Sequence, residues 1–461
     1  MGKIMFCIAA FVAAAPGLAS AQNAPPATQP TTSRMDRIEQ RMNELEQKYQ
    51  SDLKARDAEI ERLKSELANR PQPSATSQPA LGGGPEDIDK TTEEMLKDIQ
   101  SREAPPPTLR LPASFNPDIA VIGDFAGNVS SDHADPARNR FDFRELELDF
   151  RAAVDPRANA VVILPIDREV SDPLFFNPAA RDGHVDTSID IEEAYLDLHD
   201  FGVPNLTAKL GRFHLRFGRW NLLHLHMWPT VDNAFVVQSF LGPESLVDSG
   251  ISFSYVIPPR LIGGQYVEAD VEVVSGEGDS ADPVLNNDAF VSSPAINLHL
   301  LWNHDLAPNL NFEWGGSFLY GHHNADNHQY ADLVGTDFTL MHTDPLGRFN
   351  NQLFQAELIY GNVDQHVADP QHSVGAFLLA QEQLNRDWYA GMRLDWTKDA
   401  VDEHKEVYGV SPYVTWYWSE FLMFRVEYQH KWGSLPTEDT VYFQCDFVFG
   451  AHPPHPYWAA R

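Results

Sequence analysis

The sequence is poor in cysteine, in basic charge and in long apolar runs. Only Cys7 and Cys445 occur in 461 residues. Cys7 lies in an apparent export leader, so the mature chain keeps one thiol and an intramolecular disulfide is excluded. Lys and Arg number 34 against 66 Asp and Glu, a formal net charge of -32. Phosphate binding needs a basic face, so nucleic acid is excluded as a partner. No stretch of about 20 apolar residues follows the N-terminus, which excludes bundles of membrane-spanning helices. It does not exclude a membrane β-barrel, whose apolar residues come on alternate positions. His-Glu-x-x-His and Ser/His/Asp arrangements are also absent, so no catalytic residue is assigned and an enzyme is not expected.

The charge that is present is divided unevenly. The first 115 residues hold 14 basic and 16 acidic side chains, leaving 20 and 50 for the rest, and all 18 His lie in the rest. The chain therefore reads as a near-neutral front piece and a strongly acidic body.

The front piece begins as an export signal over 1–21. Lys3 is followed by the apolar run from Ile4 to Leu18 and the small-residue cleavage motif Ala19-Ser20-Ala21. Residues 34–69 predict a periplasmic α-helical coiled coil. Met35, Ile38, Met42, Leu45 and Tyr49 are spaced 3, 4, 3, 4; a stutter leads to Leu53, and Arg56, Ile60, Leu63 and Leu67 follow. The alternative is a solitary charged helix, but such a helix is unstable alone in water, so an oligomer is expected and a homotrimer preferred. Residues 70–116 predict a linker of Pro, Ser, Gln and Gly with one short helix.

The body, 117–449, alternates with period 2. Leu146, Leu148, Phe150, Ala152 and Val154 oppose Glu145, Glu147, Asp149 and Arg151. Val267, Ala269, Val271 and Val273 oppose Glu268, Asp270 and Glu272. Trp388, Ala390, Met392, Leu394 and Trp396 oppose Tyr389, Arg393 and Asp395; Leu422, Phe424, Val426 and Tyr428 oppose Arg425, Glu427 and Gln429. About 16 such strands, of bilayer-crossing length, begin near 119, 141, 159, 189, 206, 247, 265, 294, 309, 333, 350, 374, 386, 407, 421 and 439. Short turns alternate with longer loops near 169–186, 275–292, 322–331, 362–373 and 397–406. The fold class is all-β, a 16-stranded antiparallel transmembrane β-barrel behind an N-terminal coiled coil, with a periplasmic tail at 450–461. An even strand number returns both ends to the periplasmic side. Trp302, Trp314, Tyr320, Trp388, Trp396, Trp416, Trp418 and Trp432 suit interfacial girdles. A secreted β-sandwich would also alternate, but with shorter strands and more even turns.

If apolar positions face lipid, the other face lines a lumen. Its acidic candidates are Glu145, Glu147, Asp149, Glu193, Asp197, Glu268, Asp270, Glu272, Glu313, Glu357, Asp395 and Glu427. Carboxylate rings concentrate cations; the alternative is that they pair within the wall. Arg212, His214, Arg216 and Arg219 form a candidate constriction that would attract anions, and they open a segment, 218–246, too apolar for a free loop. His224 and His226, with His452 and His455 in the tail, are candidate ligands for zinc or a related metal; the alternative is packing and hydrogen bonding. No resident cofactor is assigned.

Several strings together resemble a family of porin-like outer-membrane barrels labelled zinc-regulated TonB-dependent outer-membrane receptors, similar to the phosphate-selective porins. They are Phe143-Arg144-Glu145-Leu146-Glu147-Leu148, Ile191-Glu192-Glu193-Ala194-Tyr195-Leu196, Gly211 to Asn221, His224-x-His226 with Pro229 and Asp232, Leu241 to Gly250, Trp418-Ser419-Glu420-Phe421 with Arg425, Tyr428 and His430, and Gly450-Ala451-His452-x-x-His455. The resemblance implies an outer-membrane barrel that passes small ions or solutes. Two other readings stand beside it: an anion porin of the phosphate type, and a structural anchor whose coiled coil tethers the cell wall.

Overall fold

A computed structural model describes residues 117–136, 138–167, 174–175, 187–277, 284–285, 293–324, 328–364 and 369–451. The export signal, the coiled coil over 34–69, the linker, and His452 and His455 lie outside the described residues.

The alternation becomes a single antiparallel wall. Its strands are β1 (Asp118–Ser130), β2 (Phe141–Asp155), β3 (Ala158–Asp167), β4 (Ser188–Ile189), β5 (Glu193–Leu198), β6 (Leu206–His214), β7 (Val247–Val256), β8 (Tyr266–Val274), β9 (Ala295–Ala307), β10 (Leu310–Asn324), β11 (Gln329–His342), β12 (Gln352–Val363), β13 (Gln371–Gln383), β14 (Trp388–Asp399), β15 (Asp402–Ser419), β16 (Leu422–Gly433) and β17 (Glu438–Gly450). Apart from β4 and β5, which both pair with β3, each strand pairs with the next in the chain, and β1 pairs with both β2 and β17, so the sheet closes. The short β4 and β5 share one edge of β3 and act as one interrupted strand, which makes a 16-stranded barrel. Closure pairs Ala120 with Gly450 and leaves both ends of the wall at the short-turn rim.

Burial is inside out relative to a water-soluble fold. On β8, Val271 is 44% exposed while Asp270 and Glu272 are 2% and 1% exposed. On β14, Met392 is 43% exposed and Arg393 is 0% exposed. A sheet whose carboxylates are interior and whose Val, Leu and Phe are exterior has its polar solvent inside. The outer surface also carries aromatic stacks at both rims. Trp388, Trp416 and Trp418 cluster near the short turns. Tyr408 with Trp432, and Tyr320 with Tyr330, stack near the long loops. Among the described residues no helix is long and apolar enough to cross a membrane.

Two loops expected from composition are shorter than expected. Residues 397–406 are not a long loop: β14 runs to Asp399 and β15 starts at Asp402. Lys405 lies 3.3 Å from Asp402, and Val401 N–H donates to Asp399 Oδ1 at 3.0 Å, so the polar residues stitch a tight turn. His322 and His323 are not in a loop but in β10, where the His322 ring packs on Tyr330. Polar residues near a barrel rim still pair as strand, because the wall extends past the apolar band.

Two bulges interrupt the wall near one point. Asp124 opposes Glu145 but Phe125 opposes Phe143, so Arg144 is the extra residue. Ile166 opposes Ile189 while Ile163 opposes Glu193, which places three residues opposite two. Pro165, which has no N–H to donate, stands opposite this second bulge and accepts from Asp190 N–H.

Candidate functional site

The barrel is not empty. Between β6 and β7, residues 215–246 turn into the lumen. They form short 3-10 turns at Trp220–Leu222 and Leu225–Met227 and a helix, α1, at Phe235–Leu241. The segment is apolar because it is a core: Phe217, Trp220, Phe240 and Leu241 are buried against Leu333, Ile359, Phe377 and Leu379 of the inner wall. Inward glycines make room for its rings. A Cβ on Gly335 would stand 2.7 Å from Phe217, one on Gly361 2.7 Å from Phe240, and one on Gly409 2.6 Å from Phe235.

Wall carboxylates accept the backbone N–H groups of this insert. Glu357 Oε2 accepts from Arg219 N and Trp220 N, both at 3.3 Å. Glu427 Oε2 accepts from Val231 N at 2.7 Å, Asp395 Oδ1 from Phe235 N at 3.1 Å, and Glu272 Oε2 from Arg216 N at 2.9 Å. Three wall arginines add to the attachment, Arg144 Nη1 donating to Val231 O at 2.8 Å. Arg393 Nη1 donates to Asp232 O at 2.8 Å and Nη2 to Asp232 Oδ1 at 2.9 Å; Arg425 Nη1 donates to Thr230 O at 3.2 Å.

The expected acidic lining is thus present and interior, but much of it is engaged. Glu272, Glu357, Asp395 and Glu427 hold the insert. Asp149 pairs with Arg151 at 2.9 Å. Glu268 and Asp270 face Arg216 at 3.2 and 3.5 Å. The expected arginine constriction is engaged too. Arg212 Nε donates to Ile191 O at 2.9 Å, and Arg219 pairs with Glu313. Arg216 and Arg219 are thus paired with wall carboxylates, whereas Arg212 meets a backbone carbonyl.

Glu145, Glu147, Glu193 and His214 are brought to His224 and His226, while Asp197 is half-buried on β5. The second bulge turns both Glu192 and Glu193 inward, where a regular strand would show only one. His214 Nδ1 lies 2.9 Å from Asn221 O, and its Nε2 is 3.1 Å from Glu192 Oε1. His224 Nδ1 is 3.0 Å from the same Glu192 oxygen, and its Nε2 is 3.5 Å from Glu193 Oε2. His226 Nδ1 is 3.1 Å from Glu147 Oε2. Two triads result, Glu192–His214–His224 and Glu145–Glu147–His226, each offering one ligand atom per residue within 4.8 Å of the others. Burial opposes protonation of His224, but Glu192 and Glu147 outweigh it and hold the imidazole well above its ordinary range. Glu192 is the residue the alternating pattern could not find. Its sequence signals are the doublet Glu192-Glu193 at a strand start and the string from Ile191 to Leu196 that contains it.

The cluster stands between two cavities. One, of about 330 Å³, opens toward the long-loop rim and is lined by Glu145, Asp167, Asp190, Glu192, Glu244 and Arg212. The other is smaller, borders His226, Tyr389 and Tyr417, and lies toward the short turns. Trp228 borders both. Five carboxylates against one guanidinium give the larger cavity a potential that concentrates cations.

No family model matches the sequence. An uncharacterised protein of Aquifex aeolicus is 24% identical over 408 residues, which cover 75% of this chain and 80% of that protein. Among solved structures, OprB of Pseudomonas putida aligns with a TM-score of 0.49 at 11% identity, covering 79% of this chain and 97% of that one. An anion-selective porin from Comamonas acidovorans gives 0.48 at 10% identity over 72% and 99%. The outer-membrane channel DcaP of Acinetobacter baumannii gives 0.47 at 13% identity over 72% and 96%. At these scores none of the likenesses assigns a function to this chain. The TonB-dependent part of the sequence resemblance finds no support among them.

Proposed function

We propose that this chain is an outer-membrane channel for passive passage of small ions and solutes, with a preference for cations. The observation that carries the reading is the inverted burial of a closed barrel around a carboxylate-lined interior, with an acidic cavity of about 330 Å³ inside it. The exposed apolar band needs lipid, since soluble proteins rarely leave apolar patches beyond a few hundred Å² exposed. Its height fits. Tyr408 and Trp416 mark the two aromatic rims of β15 and stand eight residues apart. At about 3.3 Å per residue and a tilt of about 40°, that is roughly 20 Å, close to the ~25 Å apolar band of such barrels. The engaged arginines favour cations over the phosphate-type alternative.

Single-channel recording in planar bilayers tests the reading. Small unitary currents with a cation-selective reversal potential in a salt gradient are expected. A silent barrel would favour the cell-wall tether, and anion selectivity would favour the phosphate-type porin. The homotrimer rests on the heptads at 34–69. It is tested by cross-linking the full chain against one truncated before residue 105; equal oligomers would remove it.

A further inference from the structure

We infer that the neck of the lumen is a binding site for a divalent transition-metal ion of the zinc type, ligated by His214, His224 and Glu192, with His226, Glu147 and Glu145 as an adjoining second ligand set. The inference goes beyond passage of solutes and does not depend on it.

The first support is ligand geometry. The triad atoms lie within 4.8 Å of one another, before any ion draws them in. Zinc binds imidazole nitrogen and carboxylate oxygen at about 2.0–2.2 Å, which places donor atoms of one tetrahedral site roughly 3.3–3.5 Å apart. The observed 3.0 and 3.1 Å separations from Glu192 Oε1 to the two imidazoles are already near that spacing.

The second support is the tautomer of His214. Its Nδ1 faces the Asn221 carbonyl, which can only accept, so Nδ1 carries the hydrogen. A backbone carbonyl in this position is the usual support of a metal-ligating imidazole. The other ring nitrogen, Nε2, faces Glu192 Oε1 at 3.1 Å, the position left free for a metal ion once Nδ1 is held by the carbonyl. Glu192 Oε2 is likewise buried and meets no hydrogen-bond donor among the described residues. Glu147, at the second triad, is 1% exposed with both imidazoles of the insert turned to it.

The third support is access. Glu192 and Glu145 belong both to the triads and to the wall of the acidic cavity. A hydrated cation concentrated there reaches the imidazoles without opening the barrel. Three imidazoles among the six ligands select against calcium and magnesium, which take oxygen donors.

The test is equilibrium dialysis of the full chain, folded in detergent, against zinc chloride, with cobalt chloride as a spectroscopic probe. The expected result is one to two zinc ions per chain, not displaced by a large excess of magnesium or calcium. Cobalt should give ligand-field absorption that zinc abolishes stoichiometrically. Glu192→Gln, which keeps the shape, and His224→Ala should each weaken zinc binding by about tenfold or more, as loss of ligand-shell partners does. Heat-modifiable migration of the folded barrel controls for folding of each variant. If the wild type takes up no zinc, or if both folded variants bind it unchanged, the cluster is an ion-paired network and the site is refuted. If neither variant folds, the cobalt spectrum of the wild type decides alone: absence of zinc-displaceable ligand-field bands refutes the site. A barrel that binds zinc but carries no current overturns the channel reading only; a conducting barrel without zinc binding overturns the site only.

Discussion

Arg393 on β14 and Asp232 on the insert meet inside the barrel, with Nη2 2.9 Å from Oδ1 and the arginine fully buried. The same guanidinium donates to Asp395 Oδ2 at 2.7 Å, so one cation joins wall to insert and also balances a wall carboxylate.

Removing that cation strands two acids. Arg393→Ala should cost about 3–5 kcal/mol, the range for breaking one side of a buried ion pair. Chemical unfolding in detergent reads the loss. The insert should also loosen, so bilayer recordings should show larger and noisier currents. Unchanged stability and conductance would mean the pair does not anchor the insert.

The insert should limit the current. Replacing residues 219–244 with a short Gly-Ser linker frees the lumen and releases Glu357, Glu427 and Asp395 from the N–H groups they hold. Conductance should rise several-fold and the reversal potential should shift toward stronger cation selectivity. A shift toward anions would contradict the role given to the inner carboxylates.

Gly409 is a packing requirement. Its absent Cβ would stand 2.6 Å from the Phe235 ring. Gly409→Val should destabilise by about 1–3 kcal/mol, the usual cost of overpacking, with Gly409→Ala milder. Restoring space with Phe235→Ala should recover part of the loss in a double-mutant cycle; strictly additive losses would argue against the contact.

The outer band should reject charge according to depth. Leu298 on β9 is exposed and its neighbour Asn297 is interior. Leu298→Arg should cost about 2–4 kcal/mol near the bilayer midplane, measured as folding into lipid vesicles. A soluble sandwich would tolerate the same change, so a negligible cost would argue against the membrane.

The strands were legible because pairing and solvent act on one residue at a time. Alternation such as Val267 to Val273 against Glu268, Asp270 and Glu272 needs no knowledge of partners. The 16-strand number and most starting positions followed from it. The starts of β11 and β15 fell earlier than expected, because polar residues at a rim pair as strand without an apolar pattern to mark them.

The site was legible only as residue types. His214, His224, His226, Glu145 and Glu147 could be singled out, but not joined. Their meeting depends on the lumen insert and on two bulges, where Arg144 and Glu192 leave the alternating pattern.

The scarcities of the sequence therefore narrowed the class of molecule: two cysteines, few cations and no long apolar run after the N-terminus leave a period-2 barrel as the way for an acidic chain to meet lipid. Local composition determines that much because each strand residue faces either lipid or lumen. Local pairs such as Asp149 with Arg151 aside, whether a lumen carboxylate attracts an ion, pairs with a distant arginine or accepts a backbone N–H was decided by tertiary structure. Some of those partners lie far apart in the chain, as with Glu357 and Trp220, 137 residues apart, and only closure of the barrel brings them within a hydrogen bond.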